Sequence, residues 1–240
     1  MQGQSPHVAT GAPPVVLVHG FGGSFEATWQ RSGFALLLEE AGRQVIGVDL
    51  LGHGTAPRPH DPDAYRDLTR RVIDAVDAIG DGPVDAVGFS LGAMTLLRLA
   101  AHRPDRFRRI VLGGIGANVV ESRPSHSAAI IAAVEGNAGE TDVVARHFAR
   151  YAHEDGNDPE ALVALLRSSQ GPITREDLAN VTSEVLVAIG DRDLAGPGDP
   201  LVAALPSGHL RVLRDTDHFA TPESFGFIDA ALQFLDAVPD

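Results

Sequence analysis

Six short apolar runs recur along the chain with almost no polar alternation: VVLV at 15–18, QVIGVD at 44–49, VDAVG at 84–88, RIVLGG at 109–114, EVLVAIG at 184–190 and LRVL at 210–213. A strand with one wet face alternates apolar and polar residues, whereas a strand covered on both faces does not. These runs therefore need layers above and below them. Helix-length segments at 34–42, 64–79 and 91–102 lie between the runs and can supply those layers. Such alternation predicts an α/β fold with a mostly parallel, doubly wound sheet, right-handed crossovers and ligands at the carboxyl ends of the strands.

The alternation stops once. Between Gly116 and about Val181 there is no strand-like run, only SHSAAIIAAVEG, TDVVARHFARYAH and DPEALVALLRSSQ, the last with Asp158 placed to cap a helix and Pro159 at its first position. A stretch of about 65 residues is too long for a plain connector. It predicts a helical cap at 116–181, inserted after the strand at 109–114 into a core made of 1–115 and 182–240. The whole chain, 240 residues and 44% hydrophobic, suits one sizeable core.

Composition removes several classes of function. The formal net charge is -13 and the basic residues are scattered, so no nucleic-acid partner is expected. All 19 basic residues are Arg, which excludes lysine nucleophiles, Schiff bases and Walker-type phosphate loops. Cysteine is absent, which excludes thiol catalysis, disulfides and zinc–thiolate sites. No metal or other cofactor is implied. The opening MQGQSPHVATGAPP has neither a basic nor an apolar signal region, and no apolar run nears the roughly 20 residues of a membrane span. A cytoplasmic location is the resulting expectation.

What remains is a pattern for acyl chemistry. GFSLG at 88–92 places Ser90 between glycines, directly after the strand VDAV and before LGAMTLLRLAAHRP, a run of good helix formers that stops at Pro104. A strand, a tight turn and a helix hold a serine in a strained conformation with its Oγ exposed. A serine hydroxyl needs a general base, and the base needs a carboxylate to orient it. Downstream, GDRD puts Asp193 just past the strand at 184–190, with Asp191 as its rival, and DTDH puts His218 in a loop before the last helix. The order Ser90, Asp193, His218 is that of hydrolases built on a parallel sheet. For the oxyanion, the backbone N–H of Leu91 follows the nucleophile, and the glycine-rich turn HGFGG offers the N–H of Phe21.

The joint pattern of HGFGG at 19–23, DLLGHG at 49–54, GFSLG at 88–92, GDRD at 190–193 and DH at 217–218 resembles the α/β-hydrolase superfamily over nearly the whole chain. The resemblance implies a serine esterase or lipase-like enzyme, favours Asp193 over Asp191 as the acid, and implies that 116–181 is the lid. Members often begin with an antiparallel hairpin, for which the residues before VVLV leave little room, so one or both leading strands are expected to be missing. The expected reaction is hydrolysis of a carboxylic ester or related acyl compound through an acyl–Ser90 intermediate. Lactonase, thioesterase, carbon–carbon hydrolase and lyase chemistry stay open, as does a receptor-like protein with little turnover. The apolar SAAIIAAV suggests a largely apolar small-molecule substrate, with Arg123, Arg146 and Arg150 as candidate carboxylate partners. With aromatic residues at 5% of the chain, no aromatic cage is expected. Oligomeric state is not legible.

Overall fold

The structure, a computed structural model, describes residues 11–121, 127–137 and 142–239. Among them, six strands form one sheet: β1 Val15–Val18, β2 Val45–Val48, β3 Val84–Phe89, β4 Phe107–Gly113, β5 Glu184–Gly190 and β6 Gly208–Leu213. Every pairing is parallel and the order is β2-β1-β3-β4-β5-β6. The chain runs outward from β1 to β2, then returns across β1 to β3. Strand order therefore reverses at β1 and β3, and the crevice outside their carboxyl ends is where such sheets bind ligands.

Helices α1 Phe34–Glu40, α2 Thr69–Ile79, α3 Leu91–His102, α4 Ala117–Val120, α5 Ser127–Val134, α6 Val143–Ala152, α7 Pro159–Arg167, α8 Arg175–Ala179, α9 Asp199–Val202 and α10 Phe225–Phe234 follow in chain order. The side chains of β1 show how the layers are filled. Val16 and Val18 point to one face, where Val72 and Val76 of α2 and Leu96 and Leu97 of α3 pack. Val15 and Leu17 point to the other, against Trp29, Phe34 of α1 and Phe227 of α10. Both faces are dry, which is why β1 carries no polar residue.

The segment predicted as one helix at 64–79 is a short turn, Pro62–Tyr65, followed by α2. Asp67 lies between them and accepts the N–H and hydroxyl of Thr69, the first residue of α2. Helices α5, α6 and α7 form a separate layer around Ile130, Ala145, Ala152 and Leu162. Leu165 of α7 ties that layer down to Tyr65 and Leu68. Helix α7 starts at Asp158, whose carboxylate accepts from Glu160 and Ala161 N–H, with Pro159 at its first position.

At the amino ends of the strands, Asp85 is fully buried and holds two arginines. Arg43, also buried, reaches Asp85 and the carbonyls of Pro13 and Leu235. Arg108 donates twice to the same carboxylate, at 2.9 and 2.6 Å. One carboxylate thus joins β3, β4 and both flanks of the chain.

Candidate active site

The crossing from β3 to α3 is a strained point beside the crevice. Ser90 has φ 49° and ψ -109°, a conformation that L-residues avoid. It is held by Ser90 N–H donating to Gly113 O at 2.8 Å and by Met94 N–H donating to Ser90 O at 2.9 Å. The flanking glycines are steric requirements. A Cβ on Gly92 would stand 2.3 Å from the carbonyl oxygen of Val18, and one on Gly88 would stand 2.7 Å from the backbone nitrogen of Ala93. Helix α3 can sit this close to β1 and β3 only without those side chains.

The structure brings Ser90, His218 and Asp193 into one hydrogen-bonded file. Nε2 of His218 lies 3.0 Å from Ser90 Oγ, and Nδ1 lies 2.9 Å from Asp193 Oδ1. With Nδ1–H donating to the carboxylate, Nε2 is left to accept from the serine hydroxyl. Both ring and carboxylate are buried. Asp193 Oδ1 also accepts Ala195 N–H at 2.8 Å, which holds that oxygen in the loop after β5. Asp191 goes elsewhere: it is exposed and accepts the N–H groups of Asp215 and Thr216, bracing the turn after β6. Asp217, next to the histidine, accepts Ala220 N–H and closes its own turn.

The loop after β1 is ordered by a buried histidine that individual residue reading did not single out. His19 Nδ1 donates to Gly20 O at 2.7 Å, and its Nε2 accepts Leu50 N–H at 3.1 Å. Gly23 N–H binds the same Gly20 carbonyl. In a trans peptide the N–H points away from the C=O, so pinning Gly20 O directs the N–H of Phe21 to the opposite side. That N–H meets no backbone acceptor among the described residues. Leu91 opens α3, so its N–H is one of the first-turn amides left without an intrahelical acceptor.

Burial depresses the pKa of His19, keeping it neutral for this two-sided role. Burial above all pushes the pKa of His53 down to about 3. His53 donates from Nδ1 to Leu51 O at 3.1 Å, and its buried Nε2 has no partner. An unfolded chain protonates this residue near pH 6.5, whereas the folded one stays neutral until about pH 3. The unfolded state binds more protons in that window, so stability is lost as pH falls through it. We expect wild-type protein to lose about 2–3 kcal/mol between pH 7 and 4.5 through His53 alone. Urea midpoints at the two pH values for wild type and His53→Leu check this, the variant losing less.

Ser90 and His218 open into a cavity of about 360 Å³. Its walls correct two expectations. The composition argued against an aromatic cage, yet Phe21, Phe89, Phe148, Tyr151 and Phe219 all line this one space, because the fold gathers them from four separate segments. Helix α6 lines the cavity and the apolar SAAIIAAV does not, since α5 packs its apolar side chains against α6 and α7. Of the arginines, Arg123 lies outside the described residues, Arg146 is exposed on α6, and Arg150 stands at the cavity.

The family described as the alpha/beta hydrolase fold matches over residues 13–195. The chain belongs to that family. This α/β hydrolase is 30% identical over 233 residues to a pimeloyl-acyl-carrier-protein methyl ester esterase of Neisseria meningitidis, covering 85% of this chain and 70% of that one. It is 34% identical over 125 residues to an sn-1-specific diacylglycerol lipase of Mus musculus, covering 51% of this chain and 39% of that one. Several other curated relatives are likewise matched over less than two fifths of their own length. Among solved structures, the enol-lactonase of Burkholderia xenovorans superposes with a TM-score of 0.70 at 22% identity, covering 96% of this hydrolase and 94% of that chain. A 2-hydroxy-6-oxo-6-phenylhexa-2,4-dienoate hydrolase from Rhodococcus gives 0.70 at 22%, covering 94% and 90%. At such identity the likeness is one of fold. No helix among the described residues is long and apolar enough to cross a membrane.

Proposed function

We propose that this α/β hydrolase cleaves a carboxylic ester or closely related acyl compound through an acyl–Ser90 intermediate. The observation that carries the reading is the file Ser90 Oγ, His218 Nε2, His218 Nδ1 and Asp193 Oδ1, with both links at hydrogen-bond length and the serine facing a cavity. Two sequence relatives, a methyl ester esterase and a diacylglycerol lipase, support the same chemistry.

Ser90 Oγ attacks the acyl carbon as its proton moves to His218 Nε2. The carbonyl oxygen becomes an oxyanion, for which Phe21 and Leu91 N–H are the assigned donors. Asp193 holds the imidazole in the required tautomer and stabilises its cationic form. The acyl–oxygen bond then breaks, and His218 gives its proton to the departing alkoxide. Water enters, loses a proton to His218 and attacks the acyl-enzyme. The carboxylic acid leaves as Ser90 regains its proton. The test is pre-steady-state release of p-nitrophenol from a panel of p-nitrophenyl esters. A burst equal to the enzyme concentration followed by steady turnover is expected, whereas a single turnover with retained ligand would indicate a receptor-like protein instead.

A further inference from the structure

The aromatic walls carry information about the substrate. Phe148 meets Phe21 edge-on at 5.8 Å and Phe219 at 5.3 Å, while Tyr151 stacks on Phe219 at 5.7 Å. Phe89 and Phe219 approach the His218 ring itself, at 5.1 and 5.5 Å. These are the separations at which rings prefer one another, so a further ring entering the space finds partners in place. At about 360 Å³ the cavity lies at the small end of ligand sites, with ample room for one ring and its ester linker. Its charged lining residues balance: Arg31 and Arg150 against Glu154 and Glu223. These lining charges therefore single out neither a cationic nor an anionic substrate.

Resting on the acyl–Ser90 reading, we propose that the substrate is an uncharged ester carrying a single aromatic ring, rather than a long alkyl chain or a carboxylated compound. Matched esters test this: methyl phenylacetate against methyl octanoate, benzyl acetate against heptyl acetate, and methyl 4-carboxyphenylacetate against methyl phenylacetate. Each favourable ring contact adds roughly 2–10-fold beyond its area, so the aromatic member of at least one pair should lead in kcat/KM by about 10-fold or more. The carboxylated ester should be the poorer of its pair. Phe148→Leu should bring the aromatic-to-alkyl ratio towards one, and Phe219→Leu gives the same readout should the first variant fail to fold. Equal or better use of the alkyl esters, or preference for the carboxylated one, overturns this assignment and leaves the hydrolase reading standing. Absence of Ser90-dependent turnover of every ester overturns both.

A separate observation concerns the oxyanion loop. The Asn157 side-chain nitrogen donates to Gly22 O at 2.7 Å and to Tyr151 O at 2.8 Å, linking the loop that bears Phe21 to the end of α6. Gly22 (φ 70°) packs so closely on α6 that a Cβ there would stand 2.9 Å from that of Tyr151. The geometry points to Asn157 as a positioning residue that holds the loop donating Phe21 N–H. Asn157→Ala should lower kcat by roughly 10-fold, less than the 10²–10³ of losing a donor outright. KM should stay within about 2-fold, and affinity for phenylboronic acid, which becomes tetrahedral on Ser90, should fall in parallel with kcat. Rates are referred to sites titrated by an organophosphonate, and Asn157→Ser is measured alongside. An unchanged kcat, or a higher KM at constant kcat, overturns the assignment.

Discussion

Ser90→Ala is expected to lower ester turnover by about 10⁴–10⁶-fold, the scale seen when a nucleophile acting as part of a triad is removed. On the proposed mechanism the effect is large because Ser90, His218 and Asp193 would act as a unit: without the hydroxyl, the imidazole has no proton to take. The fold should be indifferent to the missing oxygen, so far-UV circular dichroism and melting temperature should stay near wild type. Ser90→Gly is the more informative companion. The φ of 49° costs any side-chain-bearing residue, but not glycine, so this variant should be equally inactive and more stable by roughly 1–3 kcal/mol. Stability that rises as activity disappears would locate strain at the nucleophile. A Ser90→Gly protein no more stable than Ser90→Ala would contradict that.

Asp85→Ala is expected to have the largest effect on stability, at the opposite end of the sheet. The carboxylate is fully buried between Arg43 and Arg108. Removing it leaves Arg43, itself buried, without an ion pair among the described residues, Asp236 acting on it only from farther off. Breaking one side of a buried pair costs about 3–5 kcal/mol, because the abandoned charge stays desolvated. For a domain of this size that lowers Tm by roughly 10 °C. Because Asp85 lies near the amino end of β3 and Ser90 just past its carboxyl end, kcat per folded molecule should not change. Thermal melts and active-site-titrated rates check the two halves of the prediction separately.

Much of this was legible because it is local. The strand runs were readable to within two residues, since burial on both faces leaves an unbroken apolar signature in the sequence itself. The turn at Ser90 announced itself because only glycine fits at 88 and 92. The assignment of Asp193 over Asp191 leaned on the family resemblance, as spacing alone leaves both just past β5. Their separation is a matter of which side chain turns inward, and that depends on the loop's own hydrogen bonds. The cavity wall was not legible at all: overall aromatic content is blind to where four distant segments converge. Asn157 follows Gly156 in a polar turn with no local mark of its partner at Gly22, 135 residues away. Helix α8 did leave a signal, the capping box of Thr174 and Asp177, within a stretch too short to show periodicity.

The most direct test of the central claim is to mix the enzyme with a slowly deacylating aromatic ester, quench in acid within the burst, and measure the mass of the intact protein and its peptides. The triad assignment predicts one added acyl mass, confined to the peptide containing Ser90 and absent from Ser90→Ala. Turnover with no covalent adduct, or an adduct on any other residue, would contradict it.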